Sequence, residues 1–336
     1  MLRGLLMAKT TNIGDDIQIW PLAKMWKGVD VVLSRDDFRV WWAKGEPIKS
    51  EPTRLIVSGW HTYSPGSWPP PSYIQPLFIS LHIWPRVKGA LLRGEVVEYL
   101  SRFEVGARDW YTYRALADRG VRSYFSGCAS LLVGRFWERS CHERGDLVLF
   151  VDVPGEIMGR IPKDVMSVAV EMSQLYVRPW LNKAFSAFAH SRSRELSVPR
   201  CMRESYSALC RCAMESFLRG SLTEPFARLT AAGRRIGLLA RARLIITSRL
   251  HVALPAASLG VPVIFVHRNL ADERFEGLID LVNAFNREEF LDVAGELDYF
   301  GLTNPNQTRL RELQDGLMRR LEAFIAGDGS GKGREG

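Results

Sequence analysis

No uninterrupted apolar segment of this 336-residue chain approaches the roughly 20 residues that a membrane-spanning helix needs. The opening "MLRGLLMAKTTNIGDD" has only a short apolar patch and no small-residue cleavage site, so it does not read as a signal peptide. Cysteine is scarce: five residues, an odd number, with no CxxC pair, which argues against both a disulfide framework and a zinc ribbon. Cys210 and Cys212 form a CxC on a helical pattern, but no nearby His or Asp completes a metal site. No helix-turn-helix or stacking-aromatic signature of a nucleic-acid reader is present. Acidic residues are absent from Thr247 to Ala271. Together these absences predict a cytoplasmic protein with free thiols, no nucleic-acid partner, and no metal or redox cofactor.

What is present fits a globular α/β chain. Hydrophobic residues make up 46% and charged residues 24%, the balance of a chain that buries a core. The length exceeds one ordinary core, so two domains are expected. Short apolar runs alternate with amphipathic stretches from end to end. Strands are predicted at 2–6, 29–33, 54–58, 77–81, 104–107 and 123–125, with helices at 16–25, 94–102 and 110–119. "SWPPPSYIQP" at 67–76 reads as a rigid loop. The pattern lapses in the charged "RFWERSCHERG" and resumes with the strand "DLVLFVDV". That lapse divides the chain into 1–143 and 144–326, the second part ending in an amphipathic helix over 306–325. A disordered tail is expected over 327–336.

The segment "LIITSRLHVALPAASLGVPVIFVHR" at 244–268 carries the clearest chemistry. A β-branched run to Thr247, Ser248 as helix N-cap, a short helix stopped at Gly260 and a second run at 261–266 make a βαβ unit. Ligands of such sheets sit beyond the carboxyl ends of the strands. Arg249, His251, His267 and Arg268 fall at that edge, beside a helix N-terminus, and describe a site for an anion. In the first half, "NIGDD", "GWH", "LHI", "ARD" and "SGC" follow five of the six predicted strands. Two halves with polar strand ends predict a cleft between them. The formal net charge of +8 agrees with an anionic partner. Arg192, Arg194, Arg200 and Arg203 cluster in a polar, Pro-containing segment that reads as a solvated loop or a basic flap over the site.

Five stretches carry a family resemblance: "TNIGDDIQ" (11–18), "SGWHTYSPGSWPPPSYIQPLFISLHI" (58–83), "VGARDWYTYRAL" (105–116), "YFSGCASLLV" (124–133) and "ITSRLHVALPAASLGVPVIFV" (246–266). In this order they resemble the polysaccharide pyruvyl transferase family, over most of residues 10–280, with only a loose match at 155–235. The resemblance implies two Rossmann-like domains facing a cleft in a GT-B-like arrangement. It also implies transfer of pyruvate from phosphoenolpyruvate to two hydroxyls of a sugar, as a cyclic ketal, in exopolysaccharide or cell-wall glycan synthesis. By the same resemblance the first domain is the acceptor side and the second the donor side, and Arg249 and His251 of "SRLH" are catalytic. Arg108, in the opposite half, is carried over with them, against the alternative that it simply pairs with Asp109 or a neighbouring carboxylate.

These residue types suit the reaction. The donor bears a carboxylate and a phosphate, for which arginine forks are natural clamps, and Arg249 and Arg108 are the candidates. Histidine can hold and release a proton near neutral pH, so His251 is the candidate general acid. Flanking arginines would lower its pKa and a bound dianion would raise it. Asn12, Gly14 and Asp15 belong to the first polar strand end; Asp15 could meet an acceptor hydroxyl or cap the adjoining helix. His61 and His82 stand where a base for the sugar hydroxyl is needed, or are satisfied interior histidines. Position 61 departs from the family pattern, which has an aromatic or apolar residue there. Ser248 and Arg268 complete the donor side. Cys128 reads as a turn residue. Nine of the ten tryptophans lie between Trp20 and Trp137; Trp60 and Trp68 are candidate sugar-stacking faces, against the alternative that they fill the core. The acceptor is a sugar or glycan, free or lipid-linked, and in the second case the positive charge would favour peripheral contact with an anionic membrane face. Two rival readings remain: a GT-B-type nucleotide-sugar glycosyltransferase, and a non-catalytic family member.

Overall fold

A computed structural model of the chain describes residues 1–8, 10–40, 51–61, 64–137, 145–175 and 224–327. The basic cluster at Arg192–Arg203, the Cys210/Cys212 pair and the tail from 328 lie outside the described residues. The first half contains β1 (Leu2–Met7), α1 (Ile13–Met25), β2 (Val31–Ser34), β3 (Thr53–His61), β4 (Ile74–Ile83), α2 (Lys88–Leu91), α3 (Gly94–Leu100), β5 (Val105–Ala107), α4 (Trp110–Ala117), β6 (Ser123–Phe125) and α5 (Val133–Phe136). The second contains β7 (Val148–Val151), α6 (Gly155–Met158), α7 (Lys163–Ser167), β8 (Ala169–Met172), α8 (Pro225–Arg241), β9 (Leu244–Thr247), α9 (Leu250–Ser258), β10 (Val263–Val266), β11 (Asn283–Phe285), α10 (Arg287–Val293) and α11 (Gln307–Ala326).

The strands form two parallel sheets, β2-β1-β3-β4-β5-β6 and β11-β10-β9-β7-β8. The architecture is α/β and compatible with two Rossmann-like units. Side chains alternate between the two faces of each strand, and the core follows that alternation. Leu6, Leu55 and Val57 pack outward with Val96 of α3 and Leu116 of α4. Val148, Phe150, Leu244 and Ile246 pack outward with Ile157, Val165 and Phe290. The intervening residues, Leu5 and Ile56 of the first sheet and Leu149 and Ile245 of the second, belong to one shared cluster with α1, α8 and α9.

The two halves share one helical layer, in which residues of both sheets pack with α1, α8 and α9. Helix α1 is buried from Asp16 to Leu22 because it has a sheet behind it and α8 in front. Its Asp16 carboxylate accepts from Arg228 Nε and Nη2 of α8 at 3.1 and 2.8 Å, a buried fork. Helix α11 runs back to the first half: Gln314 Nε2 donates to Leu131 O at 2.8 Å, and Arg54 Nη1 to Ile325 O at 3.2 Å. Among the described residues, no helix is long and apolar enough to cross a membrane.

Candidate functional site

Each sheet reverses its strand order once, the first between β1 and β3 and the second between β7 and β9. Such a switch point leaves a crevice beyond the carboxyl ends of its two central strands. Helix α1 starts above the first crevice and α9 above the second, and the two helix starts abut. A Cβ on Gly14 would stand 2.9 Å from His251 Cβ. Residues far apart in the chain are thereby brought to one place, with two helix N-termini directed toward it.

On the second-sheet side, Pro255 shapes the turn. Lacking an N–H, it leaves the His251 carbonyl without its helical partner, and Gln174 Nε2 donates there at 3.4 Å. The backbone kinks at His251 itself, with φ −80° and ψ 15°. The expectation that Ser248 is the N-cap is corrected: Arg249 occupies that position, and the Ser248 hydroxyl donates to Asp152 O at 2.8 Å. Asp152 succeeds β7 with φ +50°, and its carboxylate accepts from Arg249 Nε at 2.7 Å and Gln174 N at 3.1 Å. Arg249 is therefore tied to its own sheet, with its side chain 44% exposed.

On the first-sheet side, pairing of β3 with β4 slips after Val57, and Ser80 takes a left-handed φ of +56°. Such a bulge re-aims the side chains beyond it. His82, the second residue on, is fully buried and its Nδ1 lies 2.6 Å from Asp109 Oδ2. Asp109 also caps α4 by accepting from Thr112 N. Arg108 is 2% exposed; its Nε stands 3.4 Å from Asp109 without forming a hydrogen bond. At the other end of the sheet, Arg35 leaves β2, 6% exposed, with its guanidinium 3.8 Å from Asp15 and 5.7 Å from the Trp60 ring.

The field at this place is set by burial and by arginine. Burial lowers the His251 pKa to about 3; the charges of Arg108, Arg274 and Arg35 lower it too, against Asp15. His82 is lowered to about 4, first by burial and then by Arg108, while Asp109 opposes. Burial acts to raise the Asp109 carboxyl, but the His82 hydrogen bond and the Arg108 charge hold it below its ordinary value. The Asp109 carboxylate can only accept, so Nδ1 of His82 carries the hydrogen and Nε2 keeps its lone pair. Nε2 of His82 and Nε2 of His251 are buried and meet no hydrogen-bond partner among the described residues. Neutral imidazoles beside buried guanidiniums can bind an anion and move a proton to or from it.

The sequence-predicted residues divide into those brought together and those used otherwise. His251, Arg108, His82, Asp15 and the half-buried Trp60 share this region. Asn12, not Asp15, is the cap of α1, its Oδ1 accepting from Gly14 N at 3.0 Å; the side chain assigned to substrate is used in the fold. Gly14 serves close helix approach. Trp68 is corrected as a sugar contact: it is 3% exposed, stacked on Phe78 and edge-on to Phe38. His61 packs against Trp68 and is likewise interior. Arg268 is exposed beside His267. Burial pushes the Cys128 thiol pKa up, as befits a core residue. Sequence reasoning passed over Asp152, Gln174, Arg274 and Arg35. For Arg35 the signal existed, since "SRD" follows the second strand as "GWH" and "ARD" follow theirs. Among the described residues no His, Cys, Asp and Glu cluster could hold a metal ion. No family model matches this chain, and no curated protein matches it significantly.

Proposed function

We propose that this chain is a pyruvyl transferase of GT-B-like organisation, moving pyruvate from phosphoenolpyruvate to a sugar of an exopolysaccharide or cell-wall glycan as a cyclic ketal. One observation carries the reading. Arg108 from the first sheet and His251 from the second half meet in a buried place, and neither has an acceptor or donor for its free nitrogen among the described residues. A buried guanidinium without an acceptor is costly, and a bound anion supplies what is missing.

In this reading the donor lies beyond the strand ends, where α1 and α9 start, its charges on Arg108 and, at the rim, Arg249. His251 is neutral in the empty site near pH 7, because burial and the arginines hold its pKa at about 3. The donor dianion offsets those arginines, so the proton that His251 delivers enters with the donor. Protonation of the donor methylene carbon makes an oxocarbenium-like centre at C2. One acceptor hydroxyl adds there, the C2–O bond to phosphate breaks, and the second hydroxyl closes the ring. Of the two hydroxyl protons lost, one balances the methyl group formed and the other leaves with phosphate.

The test is a thermal-shift titration. Phosphoenolpyruvate at 100 times its Kd should stabilise the protein by about 2.7 kcal/mol. Arg108→Gln should abolish that shift, and UDP-glucose should produce none. Stabilisation by UDP-glucose with silence from phosphoenolpyruvate would move the function to glycosyl transfer.

A further inference from the structure

Three arginines of the described residues are nearly inaccessible: Arg35 at 6%, Arg108 at 2% and Arg228 at 2%. Their circumstances differ. Arg228 is forked onto Asp16 by two good hydrogen bonds, so its charge and its donors are satisfied by the fold. Arg108 and Arg35 donate no side-chain hydrogen bond to any described residue, and the Nε of each is buried without an acceptor. Their carboxylate neighbours stand at 3.4 Å (Asp109) and 3.8 Å (Asp15) without hydrogen-bond geometry, and Asp109 is already engaged by His82 and Thr112. Folding does not leave buried donors unmet without compensation, because each costs its full desolvation.

The two lie at different places along one sheet edge. Arg35 exits β2 and Arg108 exits β5, with β1, β3 and β4 between them. The start of α9 comes down over that interval, and His251 there feels both charges. A ligand reaching both guanidiniums across His251 must present two separate anionic groups. We propose that Arg35 is a second anion-binding residue of this site, opposed to Arg108 across His251, and that the two hold opposite ends of one small organic anion. This rests on the donor reading above, in which those ends are the carboxylate and the phosphate of phosphoenolpyruvate. Arg249, held to Asp152 by its single Nε hydrogen bond, stays at the rim.

Thermal-shift titrations of wild type, Arg35→Gln, Arg35→Lys and Arg108→Gln with phosphoenolpyruvate, inorganic phosphate and pyruvate test this. Arg35→Gln should weaken phosphoenolpyruvate at least tenfold and weaken one of the two single-headed anions, while Arg108→Gln weakens the other; Arg35→Lys should recover part of the loss. The unliganded melting temperature is an independent readout. Arg35→Gln removes a charge that no hydrogen bond holds and should melt close to wild type, whereas Arg228→Gln strands Asp16 and should melt several degrees lower. The proposal is overturned if Arg35→Gln binds all three anions like wild type, if no anion binds wild type, or if unliganded Arg35→Gln melts as low as Arg228→Gln. Loss of phosphate or pyruvate binding in Arg35→Gln, with phosphoenolpyruvate silent on wild type, would uphold Arg35 and remove the donor assignment instead.

Discussion

His61 and His82 are buried imidazoles whose pKa values fall to about 3 and about 4, mainly through burial. A histidine lowered in the folded state stays neutral there while the unfolded chain takes up protons below about 6.5. Stability should therefore be level above pH 6.5 and fall as pH drops toward 4. Each residue contributes a loss on the order of 3 kcal/mol by pH 4. Urea denaturation across that range measures the slope, to which the equally buried His251 adds a similar loss, and His61→Leu should remove about a third of it; an unchanged slope would show that His61 titrates normally. At this scale the residue types of the site were legible, since polar residues gathered at strand ends. Their partners were not. Asp109 was a foreseeable ion-pair neighbour of Arg108 and stands 3.4 Å from it, but its hydrogen bond with His82, 27 residues away, was not.

The abutting starts of α1 and α9 set the geometry of the site. Helix propensity alone predicts that Gly14→Ala stabilises α1 by about 1 kcal/mol. The structure predicts the reverse, because the new methyl would lie 2.9 Å from His251 Cβ and 3.0 Å from Gln174 Nε2. Overpacking of this kind costs about 1–3 kcal/mol and would separate the two helices. A lower melting temperature together with weakened anion binding is the expected result, and a stabilised variant with intact binding would contradict it. Element positions were legible from periodicity: the strands expected at 54–58 and 77–81 are the cores of β3 and β4. The bulge at Ser80 and the kink at His251 were not, since each arises where a strand or helix meets a neighbour.

One apolar cluster joins Leu5 and Ile56 of the first sheet to Leu149 and Ile245 of the second through α1, α8 and α9. Neither half can cover its inner face without the other. Helix α11 adds to this by burying Leu310, Leu317 and Leu321 in the same cluster. Calorimetry should therefore give a single unfolding transition, and two resolved transitions would show that the halves hold separate cores. Expression of residues 1–145 alone should yield a species with exposed apolar surface rather than a native first half, measured by dye binding.

Apolar periodicity determined the α/β class, the strand positions and the polar character of the strand ends, because each is a local property of a few consecutive side chains. Tertiary structure decided which strand ends meet. The pairing of Gly14 with His251, the shared helical layer and the contrast between Arg228, forked onto Asp16, and Arg35, whose Nε finds no acceptor, all depend on contacts between distant residues. A buried charge looks the same in sequence whether or not the fold supplies its partner.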